Sequence, residues 1–245
     1  MATHPPGMVT AGLIGGLAWP STLLYYRLLN EHVQATLGGL HSARCLINSL
    51  DFAPLYAEMA AGERASVARR LEDAARQLRD AGAGLVAILS NTGHFAADEV
   101  AAAAGLPLVH LVSETAASIR ATHPTMRRLG LLATSFSVQA PFFGRWLTAH
   151  AGFELLLPDD DQQRDLDAVI FGPLAHGEAT PEALAAIAGL CASLRDQGAE
   201  GLLLGCTELS PIAERLHPGV PVFDSTDLHA RAIVRAMTAP CMTAP

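Results

Sequence analysis

"LEDAARQLRDAGAGLVAILSNTGH", residues 71–94, holds a helix, a glycine turn at Gly82, an apolar strand and an abrupt polar end at Ser90-Asn91-Thr92. The same order returns in "IAGLCASLRDQGAEGLLLGCTEL", residues 187–209, with the shared turn "LRD.GA" and a polar end on Cys206-Thr207-Glu208. A helix–turn–strand unit that recurs with its polar end intact reads as an internal duplication. The strands in both copies are continuously apolar. Strands of that kind, separated by helices, belong to parallel sheets covered on both faces. The expected fold is therefore α/β, with two pseudo-symmetric domains, each a mostly parallel sheet flanked by helices. Ligands of such sheets bind beyond the carboxyl ends of the strands. The expected active site is the cleft between the domains, with Ser90 and Cys206 on opposite walls.

The rest of the chain fits around these copies. "MVTAGLIGG" reads as a strand ending in a glycine turn, followed by a helix with Ser21 as N-cap and Gly38 as stop. "ARCLINSLD" and "LPLVHL" read as strands, and "HFAADEVAAAAG" as a helix. The pattern restarts at "RRLGLLATS", continues with a helix near 138–151 and "FELLLP", and closes with "VPVFDS" and a helix from Thr226. The expected domains are residues 1–113 plus 222–245, carrying Ser90, and residues 114–221, carrying Cys206. The tail "TAPCMTAP" reads as loose.

Bulk properties exclude several classes of function. The 245 residues are half apolar, with a formal charge of -8 and no Arg/Lys cluster. Nucleic acid is an unlikely partner for such a surface. No apolar run reaches the roughly 18 to 20 residues of a membrane span, and "MATHPPGMVT" lacks a signal-peptide layout. The four cysteines, at 45, 191, 206 and 241, show no metal-like spacing with histidine. These features predict a reduced, cytoplasmic protein without metal or membrane.

Cys206 sits where a strand ends and a helix is expected, so helix N–H groups are predicted to lower its thiol pKa. The plain alternative is a buried small hydrophobe. Asn91, Thr92 and Thr207 offer donors suited to a carboxylate. Glu208 can tune the thiol, accept an ammonium group, or merely complement a helix N-terminus.

"GLIGGLAWPST", "SNTGH" and "GCTE", in this order, resemble the aspartate/glutamate racemase family, and the similarity extends from about Gly12 to Met237. "GGLAWPSTLLYYRLLNE", "GGLHSA" and "PVFDSTDLHA" are most similar to its broad-specificity amino-acid racemase subgroup. The resemblance implies a cofactor-independent isomerase acting on a small amino-acid substrate, and a homodimer. Two thiols in that family exchange roles as base and acid on opposite faces of Cα. Carried over, Cys206 is the second of them, and Asn91, Thr92 and Thr207 bind the carboxylate. Thr134 and Ser135, in "LLATS", fall at a further polar strand end facing that carboxylate; a helix cap is their other reading.

The departure is Ser90, which stands where the family pattern has cysteine. A thiol can be brought toward neutrality, whereas a hydroxyl stays un-ionised without a dedicated base. Ser90 thus donates a proton better than it takes one, and His94 is only a distant candidate to assist. The resemblance links the second thiol to L-substrates, so L-amino acids are expected to react faster. Aspartate-specific relatives carry an arginine after the second strand. Residues 46–63, "LINSLDFAPLYAEMAAGE", hold no basic residue, and Arg44 falls at the wrong end of its strand. A neutral or broad side-chain pocket is expected, with Trp19 and Phe52 as lining or as ordinary core. The alternatives are a single-cysteine decarboxylase of the same superfamily or a catalytically impaired amino-acid-binding protein.

Overall fold

The computed structural model describes residues 7–139 and 141–242. The chain divides into two compact units: residues through His110 together with those from His229 onward, and Leu111–Leu228. The first unit holds β1 (Ala11–Gly15), α1 (Trp19–Leu37), β2 (Cys45–Ser49), α2 (Phe52–Ala60), α3 (Arg64–Asp80), β3 (Leu85–Ile88) and α4 (Ala97–Ala104). The second holds α5 (Leu111–Thr122), β4 (Arg128–Leu132), α6 (Ser135–Gln139), α7 (Pro141–Ala149), β5 (Glu154–Leu156), α8 (Asp160–Phe171), α9 (Pro181–Asp196), β6 (Gly201–Leu204) and β7 (Val222–Asp224). The last helix, α10 (Ser225–Met242), begins in the second unit and returns the chain to the first.

Each unit has one parallel sheet, ordered β2-β1-β3 in the first and β5-β4-β6-β7 in the second. β1, β3 and β6 are buried along their whole length, as strands sandwiched between helix layers must be. One core of the first unit packs α3 and α4 on one sheet face; a second packs α1 and α10 on the other. β7 was expected with the first domain. Its ladder to β6 makes it the fourth strand of the second sheet, so the chain leaves that unit only after Leu228.

The duplication is visible bond for bond. α3 ends with the Ala83 N–H on the Leu78 carbonyl (3.0 Å) and the Gly82 N–H on the Arg79 carbonyl (2.9 Å). α9 ends with the Ala199 N–H on the Leu194 carbonyl (3.0 Å) and the Gly198 N–H on the Arg195 carbonyl (2.8 Å). This pair of bonds is the Schellman closure, which needs a left-handed residue; Gly82 (φ 95°) and Gly198 (φ 102°) supply it. Each closure lays its helix on a central-strand glycine. A Cβ on Gly12 would lie 2.9 Å from Ala83 Cβ, and one on Gly130 would lie 3.0 Å from Leu194 Cβ. The last rung is shared too: Leu89 N–H donates to the Ile14 carbonyl (2.9 Å) and Gly205 N–H to the Leu132 carbonyl (2.8 Å). Ser90 and Cys206 are therefore each the first residue beyond the ladder.

Several local expectations need correction. α1 starts at Trp19 with Ala18 as N-cap, because Pro20 suits the first turn, and Ser21 lies inside the helix. Gly38 does end it. "LPLVHL" forms only an isolated bridge, Leu108 to Val86, since Pro107 has no N–H to extend a ladder. The segment after Ser90 is a 3-10 turn, Thr92–Ala96, before α4 begins. The tail expected to be loose continues α10 to Met242; residues 243–245 of that stretch lie outside the described residues. Among the described residues, no helix is long and apolar enough to cross a membrane.

Candidate active site

In the first unit the polar strand end is organised by its own backbone. The Ser90 hydroxyl accepts the Gly93 N–H at 3.3 Å, and the Asn91 carbonyl accepts the His94 N–H at 3.2 Å. A Cβ on Gly93 would lie 2.8 Å from Ile88 Cγ2, so the turn folds this tightly only around glycine. Ser90 and Thr92 are half-buried and Asn91 is buried. Accepting an amide leaves the serine with its own proton to donate. It does nothing to make the oxygen a base.

His94 does not assist the Ser90 hydroxyl. Its Nδ1 lies 2.7 Å from the Ser90 carbonyl, an acceptor only, so Nδ1 carries the proton and donates. The buried ring stacks edge-to-face on His110 (centroids 4.9 Å apart) and on His229 (5.5 Å). His229 Nε2 donates to the Val109 carbonyl at 2.8 Å, so its Nδ1 accepts the Tyr25 hydroxyl at 2.9 Å. The three residues are far apart in sequence, and no motif announces them. Burial pushes His94 well below the ordinary value of 6.5, with help from His229 and His110, and burial takes His229 down to about 4. Both are neutral in the fold. Among the described residues no three His, Cys, Asp or Glu side chains are grouped to hold a metal ion.

This cluster makes the first unit acid-sensitive. An unfolded chain binds protons at His94 and His229 near pH 6.5, and the folded chain resists until lower pH. The stability is thus complete above about pH 6.5 and falls as pH drops toward 4. For His229 alone the loss at pH 5 is roughly 2 kcal/mol. Urea denaturation at pH 7.5 and pH 5 is expected to show it, and His229→Gln should shrink the difference. An unchanged pH dependence in that variant removes the histidine from the account.

In the second unit Cys206 is extended (φ -141°, ψ 134°) and precedes a 3-10 segment, Thr207–Arg215, rather than an α-helix. It is buried and packs into the unit's core with Leu204 and Leu209. Its Sγ–H donates to Glu208 Oε2 at 2.9 Å, and the Thr207 hydroxyl donates to the same oxygen at 2.9 Å. The expected fall in thiol pKa is overturned. Burial raises it well above 9.0, and the Glu208 charge and the Asp167 charge add to the rise. The resting residue is a thiol.

Thr134 and Ser135 follow β4, which neighbours β6. The Thr134 hydroxyl donates to Ser137 Oγ (3.1 Å) and accepts the Ser137 N–H (3.3 Å), capping α6. The Ser135 N–H donates to Asp167 Oδ1 at 2.9 Å. Asp167, on α8, is an acid held at the end of β4 that pattern reading missed. Asp224, at the end of β7, accepts the Ser210 hydroxyl (2.9 Å) and the Thr226 N–H (2.9 Å) and is pushed up to about 6 by burial. It ties the turn after Cys206 to the start of α10. Trp19 begins α1 just past the end of β1 and is 67% exposed, which excludes a core role. Phe52 packs partly buried against the core. Arg64, just beyond the window free of basic residues, holds its guanidinium 4.7 Å over the Phe95 ring.

The profile of the Asp/Glu/Hydantoin racemase family matches residues 14–233. A crystal structure from Yersinia pestis assigned to the Asp/Glu racemases is 37% identical, covers 93% of this chain and 98% of its own, and superposes with a TM-score of 0.85. An aspartate racemase homologue from Pyrococcus horikoshii is 30% identical over 94% of this chain and 100% of its own, with a TM-score of 0.82. The broad specificity amino-acid racemase RacX of Bacillus subtilis is 24% identical over 230 residues, 91% of this chain and 96% of the relative.

Proposed function

The chain belongs to the Asp/Glu/Hydantoin racemase family, whose chemistry is isomerisation, and we propose that it racemises free amino acids at Cα with Cys206 and Ser90 as the proton-transfer pair. The observation that carries this reading is the matched position of the two residues, each first beyond the last ladder bond of its sheet. Asn91, Thr92, Thr134, Ser135 and Thr207 are proposed to hold the carboxylate, Glu208 the ammonium group, and Trp19 the side chain. No cofactor enters the proposal. In it, Cys206 removes the proton from one face of Cα and Ser90 returns one to the other.

The pair is unequal. A thiolate is accessible to Cys206 once its surroundings change, whereas among the described residues an alkoxide at Ser90 has no base to form it. L-amino acids are proposed as the faster substrates, without any shift of the final L/D ratio. Neutral or broad side-chain specificity is supported by the absence of basic residues at 46–63 and by the engagement of Arg64 over Phe95 and of Arg70 with Glu58. A reducing, cytoplasmic setting is supported by the free thiols of Cys45, Cys191 and Cys206. A homodimer is supported by the exposed apolar residues Leu23, Tyr26 and Ile47 and is read out by light scattering.

The test is a screen of both enantiomers of the standard amino acids in deuterated water, scored on initial rates. Deuterium is expected to enter Cα faster from the L side, and neutral substrates to match or exceed aspartate and glutamate. Ser90→Cys should raise the D-side rate about tenfold or more, a part of the roughly 10²- to 10⁴-fold that a positioned acid–base group supplies, with less change on the L side. Equal wild-type rates from both sides sink the Ser90 assignment, and absence of exchange from any amino acid sinks the racemase reading.

A further inference from the structure

The turn after β3 leaves the Ser90 carbonyl to a side chain. The Gly93 N–H goes to the Ser90 hydroxyl (3.3 Å) and the His94 N–H to the Asn91 carbonyl (3.2 Å). Either amide is spaced to close a helical turn on the Ser90 carbonyl. The imidazole of His94 takes that carbonyl instead, through Nδ1–H at 2.7 Å. Both polar groups of Ser90 are thus bonded within the turn, the hydroxyl to a backbone amide and the carbonyl to a ring. The ring is itself held. His94 is 3% exposed and meets His110 and His229 edge-on. His229 is fixed at both nitrogens, by the Val109 carbonyl and the Tyr25 hydroxyl. Val109 N–H is bonded in turn to the Val86 carbonyl of β3 at 2.9 Å, and Tyr25 is fully buried on α1. Buried hydrogen-bonded networks of this kind rigidify what they touch.

A hydroxyl that has only its own proton to give must be aimed. A misplacement of about 1 Å can cost a reacting group roughly 100-fold. We propose that His94 is the positioning residue of Ser90: it holds the carbonyl, and with it the backbone, at the angle that aims the hydroxyl, and His229 and Tyr25 support it. The inference rests on the racemase reading and adds to it a residue that acts only through another. His94 gives up no proton in this role, and its Nδ1–H bond stays intact. The proton delivered to Cα leaves the Ser90 O–H, the carbanion pair becomes the new C–H bond, and solvent water reprotonates the serine oxygen. His94 therefore bears on one face of Cα only. Removal of the proton from an L-substrate by Cys206 does not depend on it.

Two amide side chains supply the test in the intact protein. Asparagine carries its N–H donor at the place of imidazole Nδ1; glutamine carries it one bond farther, at the place of Nε2. In deuterated water, His94→Gln is expected to lower formation of D-product from L-substrate by about tenfold or more, while deuterium entry into recovered L-substrate stays within about twofold. His94→Asn should restore most of the D-product. A second readout needs no substrate: hydrogen exchange of the Gly93 amide, followed by NMR. That amide, bonded to the Ser90 hydroxyl, should lose protection in His94→Gln and keep it in His94→Asn, with the Leu89 amide of the last ladder rung as internal standard. If His94→Gln folds poorly, Tyr25→Phe removes only the hydroxyl behind His229 and should move both readouts in the same direction by a smaller factor. Loss of inversion with deuterium entry kept is a combination that a merely structural role does not produce. The proposal is overturned if His94→Gln forms D-product as fast as wild type, if His94→Asn loses as much as His94→Gln, if deuterium entry and inversion fall together, or if Tyr25→Phe, where it serves, moves neither readout. If no amino acid exchanges in the wild type, the racemase reading falls, while the Gly93 amide still decides whether His94 holds Ser90.

Discussion

Replacing Cys206 with alanine is expected to slow deuterium entry into L-amino acids by at least about two orders of magnitude, the usual worth of a positioned acid–base group. Cys206 is the candidate that can become a base on the L side, because among the described residues the hydroxyl of Ser90 has no partner that accepts its proton. Cys206→Ser should fall nearly as far, since a hydroxyl fits the space but does not ionise. The residue is small and buried in the core of its unit, so each variant needs its melting temperature measured beside its rate. Near-wild-type turnover of L-substrate by a folded Cys206→Ala protein would falsify the assignment.

The second large effect concerns folding. Gly16 has φ 82°, and a Cβ built on it lies 2.1 Å from the Leu50 carbonyl oxygen and 2.4 Å from the Leu50 nitrogen. Both neighbours are backbone, and the Leu50 N–H is itself bonded to the Gly15 carbonyl at 3.0 Å. Relief therefore requires moving the end of β2 relative to β1. Gly16→Ala is expected to destabilise the protein by about 3 kcal/mol or more, adding the strain of a left-handed alanine to an overpacked contact. Gly105, the left-handed cap of α4, is the control. It has φ 61° with nothing within 4 Å of a built Cβ, so Gly105→Ala bears the conformational strain alone, about 1 to 2 kcal/mol. Equal denaturant midpoints for the two variants would mean that the contact with Leu50 carries no weight.

The parts of the fold legible in the sequence were those set by local chemistry. Gly82 and Gly198 mark their helix ends because the Schellman closure needs a left-handed residue, and the apolar runs after them become β3 and β6. α8 was not read, although Asp159 and Gln162 form a capping box at its start, because "DDDQQRD" has too few apolar positions to show a period. The site divides in the same way. Ser90 and Cys206 stand out as polar residues ending buried strands. The acidity of the thiol was misjudged because strand-then-helix implies a lowered pKa, whereas burial and two carboxylates act the other way. One of those carboxylates is brought in by α8. The histidine cluster joins positions 94, 110 and 229, and its meeting depends on α10 returning to the first unit.

That return sets the order in which a ribosome can finish the molecule. Leu111–Leu228 is one uninterrupted stretch and emerges whole. The first unit, although synthesised first, lacks Ala230, Ile233, Val234 and Met237 until the last helix leaves the tunnel, and these residues cover Leu13, Tyr25 and Leu29 on one face of its sheet. The Tyr25 hydroxyl and the Val109 carbonyl likewise wait for His229. Nascent chains stalled before residue 229 therefore expose an apolar sheet face, and chaperone capture is expected to fall on the N-terminal unit after the second has already folded.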